Sequence, residues 1–444
     1  MKRSIRTDKW EIEISQQKRQ WMKDTIAEYR LFCKALSIVV INNWPELQKA
    51  ESFCATVERL IHPTAKNPSP RHNYFHKRFY KFPSYLRRAA IEYVQGQVSS
   101  YLSRYGKWLD GERRHPHEKP PLFNANAGCY PALYKNQLIK YAEDFSYAQI
   151  KVRKHNDWVW IKVKIKSKRQ RHLIGELRSP MLIVTNKQQH LSVPIRVSHP
   201  KRKTGLACSV DMGINTTATM AIVDQHGTVH ARMFFHPSKE IDRRDKSLRA
   251  VSKAARKTKQ LSKGFCKQRY RKAQQYNRQI AQITSRAIVN FAVKHGADTV
   301  VLENLKGWKP RAGKKRSKLK AKFHSWLKSA VADLTQMKFE EIGGRIFKVF
   351  ARGTSSEAYD GSGPVQRNKK QYEIATFSTG KIYNADLNAA YNIAARFWAI
   401  ILKLTHGNSG QWLKGKSSLN QQRIPVTLST LWGRGAGSRF SCVA

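Results

Sequence analysis

The stretch from Leu206 to Asp224 constrains the fold of this chain more than any other segment. An apolar run ends at Asp211, a turn with Gly213 and Asn215 follows, and a second apolar run continues to Asp224. Two β-forming runs on either side of such a turn predict a β-hairpin. A carboxylate held at this bend can share a divalent cation with a phosphate, because Mg²⁺ takes oxygen ligands from both. An aspartate before a glycine turn is also a common turn residue, so a structural role stays open at this point.

A second acidic residue follows a short apolar run in the C-terminal half. Gly296 predicts the end of a helix, and the residues from Asp298 to Leu302 predict a buried strand after it. Glu303 then lies at the C-terminal end of this strand. In α/β sheets that end is where ligands and catalytic groups gather.

A third acidic residue, Asp386, begins the last clear element, a predicted amphipathic helix that carries it in the first turn. A strand-end role and a helix-cap role would each explain Glu303 and Asp386 without any chemistry. However, two strongly basic segments, residues 243–278 and 306–322, lie between the acidic residues. Acidic ligands flanked by phosphate-binding basic segments predict a two-metal nuclease.

The charge of the chain indicates its partner. Its 83 lysines and arginines against 30 acidic residues give a net charge of +53. With 41% hydrophobic residues in 444, the chain can still bury the cores of two or three domains. A basic excess spread over the whole length predicts a long polyanion, nucleic acid, as the partner. The sequence has no apolar run long enough for a membrane span, and its basic start lacks the apolar core of a signal peptide, so we expect a cytoplasmic protein.

The first half of the chain predicts helices followed by short strands. Residues 9–15 alternate as a strand does, and helical periodicity covers residues 16–40 and 84–109. Two hairpin signals follow, centred on residues 155–157 and 186–189. Short strands with basic outer positions predict a small barrel or sheet of a kind that binds single strands and RNA. The helical region is either a bundle with solvated basic faces or a surface that holds nucleic acid, and the net charge favours the second.

Three segments resemble the RuvC nuclease of TnpB proteins, the transposon-associated, RNA-guided relatives of type V CRISPR effectors. They are Ser-Val-Asp-Met-Gly-Ile-Asn-Thr-Thr-Ala around Asp211, Val-Val-Leu-Glu-Asn-Leu around Glu303, and Asn-Ala-Asp-Leu-Asn-Ala-Ala-Tyr-Asn-Ile-Ala around Asp386. The third segment and the order of all three carry the resemblance, which covers roughly residues 206–400.

The resemblance implies an α/β, RNase H-like core in which Asp211, Glu303 and Asp386 hold two Mg²⁺ ions. One ion would activate water and the other would stabilise the leaving 3′-oxygen. It also implies a protein encoded by a prokaryotic transposable element that cleaves DNA at sites paired with a guide RNA and is nucleoid-associated when bound. The implied domain order is a first strand of the wedge domain (residues 1–15), a helical recognition region (16–115), a β-barrel-like wedge domain (116–200), the RuvC-like core (206–400) and a basic, poorly ordered tail (401–444).

The chain departs from the family at the four-cysteine zinc ribbon that most members carry between the second and third segments. Ala358, Gly361, Ala375 and Ser378 stand about where the thiolates would be. None of the six cysteines lies in a Cys-x-x-Cys pair, and alanine and glycine cannot ligate zinc. We therefore expect no zinc in this protein.

Another interaction must then hold residues 352–385 together. We predict a small β-hairpin in this degenerate segment, with apolar anchors at Tyr372, Ile374 and Phe377. Asn384 is a second departure, because an acidic residue often stands two positions before the catalytic aspartate of the family.

Other classes of function stay open beside an RNA-guided endonuclease. A nuclease-inactive descendant acting as an RNA-guided DNA-binding repressor should lose the carboxylates, and all three are present. A miniature type V CRISPR effector of the same lineage would share every feature above. A DNA-strand transferase is disfavoured, because the sequence shows neither a tyrosine nucleophile nor the His motif of the partner transposase.

Overall fold

The computed structural model describes residues 2–65, 67–112, 117–125, 128–167, 175–186, 188–213, 216–259, 261–262, 264–305, 327–368, 371, 373–405, 409–413 and 424–432. The chain separates into two compact units, Ser4–Val197 and Ser198–Ala444, the second with Met1–Arg3. Both contain helices and strands, so the protein is a multidomain α/β protein.

The first unit combines a bundle of helices with one sheet. Its described helices are α1 (Gln16–Asn42), α2 (Trp44–Lys49), α3 (Phe53–Ile61), α4 (Tyr74–Arg78) and α5 (Ser84–Leu109). Its described strands are β1 (Lys2–Glu13), β2 (Ile139–Tyr141), β3 (Tyr147–Lys154), β4 (Asp157–Ser167), β5 (Glu176–Leu177), β6 (Met181–Val184) and β7 (Gln189–His199). They follow the order β2–β3–β4–β1–β7–β5, with β6 also paired to β7.

The two predicted hairpins of this unit are present. β3 pairs antiparallel with β4, and β6 pairs antiparallel with β7. The strand predicted for residues 9–15 is longer than expected and, as β1, lies between β4 and β7. The division of the unit into a recognition region and a wedge domain, and the closure of its strands into a barrel, stay predictions.

One hydrophobic core joins the helices of the first unit to its sheet. Phe32 of α1 stacks on Phe82, with their ring centroids 4.4 Å apart, and packs edge-to-face against Phe75 and Phe79. Aromatic side chains bury large areas and dominate the energetics of such cores. The sequence periodicity of α1 and α5 predicts this core, because the buried residues of both helices recur every three to four positions and so lie on one face.

The second unit is built on a five-stranded sheet. Its strands are β8 (Leu206–Asp211), β9 (Ala218–Asp224), β10 (Val229–Phe235), β11 (Thr299–Asn304) and β12 (Arg345–Phe350). The order is β10–β9–β8–β11–β12. β8, β9 and β10 are antiparallel neighbours, whereas β11 runs parallel to both β8 and β12. The predicted hairpin is thus β8–β9, although Asn215 of its turn lies outside the described residues.

Helices cover both faces of this sheet. The helices of this unit are α6 (Ser238–Thr258), α7 (Lys267–Lys294), α8 (Lys328–Glu341) and α9 (Ala385–Ile401), of which α7, α8 and α9 lie against the sheet and α6 packs against α7. Residues of the sheet alternate between two cores: Ala207 and Val301 pack with α9, whereas Cys208 and Val300 pack with α7 and α8. α9 is buried almost all round and most of its side chains are apolar, as expected for a helix that lies inside the protein rather than on its surface.

The degenerate zinc-ribbon segment forms a small sheet, in the order β13 (Gln366–Arg367), β14 (Ile374–Thr376) and β15 (Ile382–Asn384). β14 and β15 are the predicted hairpin. Phe377 is 2% exposed and packs with Ala358 and Ala375, two of the positions that the resemblance aligns with zinc-ribbon thiolates. The predicted anchor Ile374 is partly buried, and Tyr372 lies outside the described residues. An apolar cluster therefore fills the centre of the segment.

The expectation of a poorly ordered tail is wrong for residues 424–432. Val426, Leu428 and Leu431 are buried against α9, and a short 3₁₀-helix spans Leu428–Leu431. The Gly, Ser and Lys content of the tail as a whole predicted disorder, but these apolar side chains bury enough surface to hold their own segment. Residues 414–423 and 433–444 of the tail lie outside the described residues.

Candidate functional site

Asp211 and Glu303 lie side by side at the ends of two parallel strands. β8 and β11 pair in parallel up to Val210 and Leu302, so the next residues of both strands are neighbours. Adjacent strands lie about 4.8 Å apart. The alternation of the strands points both acidic side chains to the α9 side of the sheet, because Ala207 and Val301 of the same strands pack against α9.

Asp386 approaches the same edge of the sheet from the first turn of α9. The side chain of Asn384 caps the helix by accepting a hydrogen bond from the Leu387 N–H at 2.9 Å. A Cβ added to Gly213 would lie 2.5 Å from the Thr216 carbonyl oxygen and 3.8 Å from Asp386 Oδ2. The turn after β8 and the start of α9 are therefore close together, and the Thr216 carbonyl of the turn itself leaves room only for glycine at position 213. A helix N-terminus also favours a negative charge.

The ionisation of Asp211 depends on the other two carboxyl groups. Burial raises the pKa of Asp211 well above its ordinary value, and the negative charges of Glu303 and Asp386 raise it further. The Arg367 guanidinium acts in the opposite direction on the pKa of Asp211. Glu303 lies beside Asp211 through the pairing of β8 with β11, and Asp386 lies close to the turn that follows Asp211, so both negative charges are near enough to act on it.

Burial also raises the pKa of Glu303 and the pKa of Asp386. A hydrogen bond from Thr354 and the charge of Arg396 oppose the shift at Glu303. Arg367 and a hydrogen bond from the Thr216 side chain oppose it at Asp386. Each carboxylate is thus partly compensated by neighbours from this chain, and Arg367 acts on both Asp211 and Asp386.

A row of buried polar side chains runs along α9 behind the carboxylates. Asn388, Asn392 and Arg396 are spaced by four residues and are each at most 1% exposed; we call them the polar spine. None of the three was predicted from the sequence to be a functional residue. The signal was available, because three polar residues at i, i+4 and i+8 of a helix that is otherwise apolar lie on one face and must find polar partners there.

The donor set fits a hard divalent cation. Three carboxylates offer only oxygen ligands, which Mg²⁺ prefers, and their mutual repulsion would be relieved by a bound cation. Among the residues that the structure describes, no three His, Cys, Asp or Glu side chains are arranged closely enough to count as a metal-holding group. The three carboxylates are thus neighbours rather than a closed ligand set; Asp211 and Glu303, with Asp386 opposite, are the residues that would hold such an ion, and their roles stay a prediction.

The outer face of β3 and β4 in the first unit interleaves lysines with aromatic rings. Lys162 Nζ lies 3.8 Å from the centre of the Tyr147 ring, and Lys151 Nζ lies 6.0 Å from that of Trp160. We call these four residues the lysine–aromatic face. Phosphates and stacked bases suit such a surface, because the lysines provide charge and the rings provide flat apolar area.

The basic segments expected to contact phosphates have different outcomes. Residues 243–278 are largely helical and form parts of α6 and α7, in which Val251 and Ala273 are buried and the many basic side chains are mostly exposed. The two helices pack against each other. Residues 306–322 lie outside the described residues.

Comparisons with known proteins give similarities at low identity. The model of the Aq_aa04 family matches residues 6–154, and no curated protein matches the chain. A Cas12f1–sgRNA–target DNA complex is 13% identical, with 85% of this chain and 81% of that chain covered and a TM-score of 0.48. A CRISPR–Cas12f ternary complex is 13% identical, with coverage of 84% and 80% and a TM-score of 0.32. C2c1 of Alicyclobacillus acidoterrestris with single-guide RNA is 10% identical, with coverage of 86% and 69% and a TM-score of 0.42.

The described part of the chain contains no helix that is both long and apolar enough to cross a membrane.

Proposed function

We propose that this chain is an RNA-guided DNA endonuclease of the TnpB type, with Asp211, Glu303 and Asp386 as the acidic residues of a RuvC-like site. The observation that carries the proposal is the convergence of these carboxylates, from three distant segments, on one side of one sheet. Partly buried carboxylates that repel one another destabilise a fold. A cluster of this kind is therefore better explained by a function than by stability.

The order of the sheet supports an RNase H-like core. Three antiparallel strands are followed by two parallel ones, and the acidic residues lie at the ends of the first and fourth strands and on the helix after the fifth. This support is independent of the resemblance between the three segments and RuvC. The resemblance uses local residue identity, whereas the strand order depends on pairing between residues far apart in the sequence.

In this proposal the chain's main task is to hold its carboxylates in place. Bound Mg²⁺ would supply activation of the attacking water and stabilisation of the charge on the leaving 3′-oxygen. Asp211 and Glu303 would hold it from rigid strand ends, and Asp386 from a capped helix N-terminus. The sheet and α9 keep water from the inner side of the carboxylates, which strengthens the electrostatic interactions at the site.

The proposed partners are guide RNA and target DNA, acting in a prokaryotic cytoplasm. The net charge of +53 supports a polyanionic partner, and the lysine–aromatic face and the α6–α7 pair are surfaces in the described residues that would suit it. Guide RNA and target DNA are also what the similar Cas12f1 structure contains. Reading of the DNA sequence would then rest on base pairing rather than on the protein.

The test begins with the RNA that copurifies with the protein. The chain is expressed together with the DNA that flanks its gene, the bound RNA is sequenced, and the complex is incubated in Mg²⁺ with DNA that matches the RNA and carries a randomised flanking sequence. We expect cleavage of matched DNA and none of DNA with a scrambled target. The Asp386→Ala complex should bind the same RNA without cleaving.

Two outcomes would contradict the proposal. Absence of a defined RNA would exclude guidance by RNA. Binding of matched DNA by the wild-type complex, with no more cleavage than Asp386→Ala shows, would favour the nuclease-inactive repressor instead. The origin of the gene, transposable element or CRISPR locus, is decided by the genes beside it.

A further inference from the structure

The loop after β12 is attached to the polar spine of α9. Arg396 Nη1 donates hydrogen bonds to the carbonyl oxygens of Phe350 and Arg352, at 2.5 and 2.9 Å. Asn392 Nδ2 donates to the carbonyl oxygen of Thr354 at 3.0 Å. Because these donors belong to a buried helix, they fix the path of residues 350–354 with little freedom.

The same contacts continue along the segment that follows. Asn392 Nδ2 and Asn388 Nδ2 both donate to the carbonyl oxygen of Glu357, at 2.8 and 2.9 Å. Asn388 Oδ1 accepts from the Tyr359 N–H at 2.8 Å. The spine therefore satisfies backbone groups on both sides of Thr354, which would otherwise be buried without partners.

Thr354 connects this anchored loop to the carboxylate cluster. Its hydroxyl lies 2.5 Å from Glu303 Oε1 and 3.1 Å from the Ala351 carbonyl oxygen. A hydroxyl has one proton to donate, and the shorter contact, to the carboxylate, is the stronger. Thr354 is buried, at 3% exposure, so water does not compete easily for this bond.

We propose that Thr354 is a positioning residue that sets the orientation of the Glu303 carboxylate, and that the polar spine holds Thr354 in place. The inference rests on the proposed function, because it concerns the same carboxylate cluster. A glutamate has three side-chain torsions, so a carboxylate at a strand end needs an external partner to hold one orientation. One helix would then serve the site twice: Asp386 at its start is a ligand, and its spine orients a second ligand through Thr354.

Two substitutions distinguish the effect of the Thr354 hydroxyl group from the effect of the size of its side chain. Thr354→Val keeps the shape of the side chain and removes the donor, whereas Thr354→Ser keeps the donor and removes a methyl group. Ser356→Ala is the matched control, because Ser356 Oγ donates to the Gly353 carbonyl oxygen at 3.2 Å in the same loop. That variant removes a hydroxyl from the loop without removing a contact to Glu303.

The experiment measures Mn²⁺ binding to the purified protein–RNA complex by calorimetry, with MnCl₂ as the probe. Only the binding that the Asp211→Ala complex lacks is assigned to the carboxylate cluster, since RNA also binds Mn²⁺. Loss of a group that orients a metal ligand typically costs about 10–100-fold in metal affinity or activity. We therefore expect Thr354→Val to weaken this binding by about 10–100-fold, and Thr354→Ser and Ser356→Ala to bind like the wild type.

DNA cleavage and melting temperature complete the test. Thr354→Val should need more Mg²⁺ for half-maximal cleavage while its melting temperature stays near that of Ser356→Ala. Wild-type Mn²⁺ binding by Thr354→Val would overturn the inference. So would a Thr354→Ser variant as weak as Thr354→Val, because the methyl group would then be what matters, and this comparison holds even if valine disturbs the loop.

Failure of the proposed function gives a different result. In that case the wild-type complex cleaves no DNA but still binds Mn²⁺ at a site that Asp211→Ala abolishes and Thr354→Val weakens. That result would exclude the nuclease activity and leave the positioning role of Thr354 intact. Full DNA cleavage with identical Mn²⁺ binding in all three loop variants would support the nuclease and exclude the positioning role of Thr354.

Discussion

Glu303 lies next to Asp211, one position beyond the parallel pair of Leu302 and Val210. The two residues are far apart in the sequence. In each of their strands, successive side chains point alternately to the two cores on either side of the sheet. Their neighbourhood requires the correct pairing of β8 with β11 and the correct register, because a shift by one residue would turn one of the carboxylates to the other face. The contribution of the Glu303 charge to the raised pKa of Asp211 follows from this arrangement.

Alanine at any of the three acidic positions should abolish Mg²⁺-dependent DNA cleavage and keep RNA binding. Each change removes a ligand from the proposed site and leaves the basic surface as it was. We expect cleavage rates to fall by more than about 100-fold, the scale of losing one group that stabilises charge in a transition state. Rates on matched DNA and RNA affinities of the three variants check this. An Asp386→Ala complex that cuts at the wild-type rate would remove Asp386 from the site.

Asp211→Asn should stabilise the protein in buffer with a chelator. The carboxylate of Asp211 is partly buried and repelled by Glu303 and Asp386, and the amide removes that repulsion without changing the size of the side chain. Melting temperature is the measurement, with a shift of about 2–4 °C for each kcal/mol in a domain of this size. The exposed Asp333 on α8 provides the control, and Asp333→Asn should leave the melting temperature unchanged. A clear loss of stability in Asp211→Asn would contradict the repulsion.

The stabilisation of Asp211→Asn should depend on pH. A carboxyl group whose folded pKa is raised binds its proton more tightly in the folded state, so its contribution to stability is present below its unfolded pKa. That contribution is lost as the pH rises from about the ordinary value of 3.8 through the raised folded pKa. The difference in melting temperature between Asp211→Asn and the wild type should therefore be small near pH 4 and increase at higher pH, in chelator throughout. A constant difference would show that charge is not its cause.

Phe377 should hold the degenerate zinc-ribbon segment without metal. The side chain is 2% exposed, and truncation of a buried phenylalanine typically costs about 3–5 kcal/mol. We expect Phe377→Ala to lower the free energy of unfolding on this scale, whereas Ile382→Ala on β15, where the side chain is 68% exposed, should have little effect. Denaturant unfolding measures both, and elemental analysis should find no stoichiometric zinc. One zinc per chain, or a chelator that destabilises the wild type as Phe377→Ala does, would refute the apolar account.

The lysine–aromatic face should contribute to RNA affinity in two separable ways. Trp160→Ala should weaken binding by about 1–3 kcal/mol, the usual value of one base stacked on an aromatic ring. Lys162→Ala should lower the slope of log affinity against log salt by about 1, because one phosphate contact is lost. Met181→Ala is a control on the same sheet with similar exposure, 39% against 38% for Trp160. Titrations between about 50 and 200 mM salt decide the matter, and equal losses in Trp160→Ala and Met181→Ala would exclude stacking.

The sequence by itself determined the local elements and the three acidic residues. The hairpin at Asp211, the strand that ends at Glu303 and the helix that begins at Asp386 each follow from periodicity and turn residues within about 20 positions. The hairpin of β14 and β15 also followed, because missing thiolates and an alternating run were both visible. Such features are set by interactions between near neighbours in the chain.

Only the tertiary structure decided which distant groups meet. The sheet order, the attachment of residues 350–354 to the polar spine, the contact of Thr354 with Glu303 and the packing of Leu431 on α9 all join residues dozens of positions apart or more. No local pattern encodes these partners, because each such contact forms only after the entropy of closing a long loop is overcome by the packing of the whole unit. A polar residue in an otherwise apolar helix indicates from the sequence that it needs a hydrogen-bond partner. Which group becomes that partner depends on the tertiary structure.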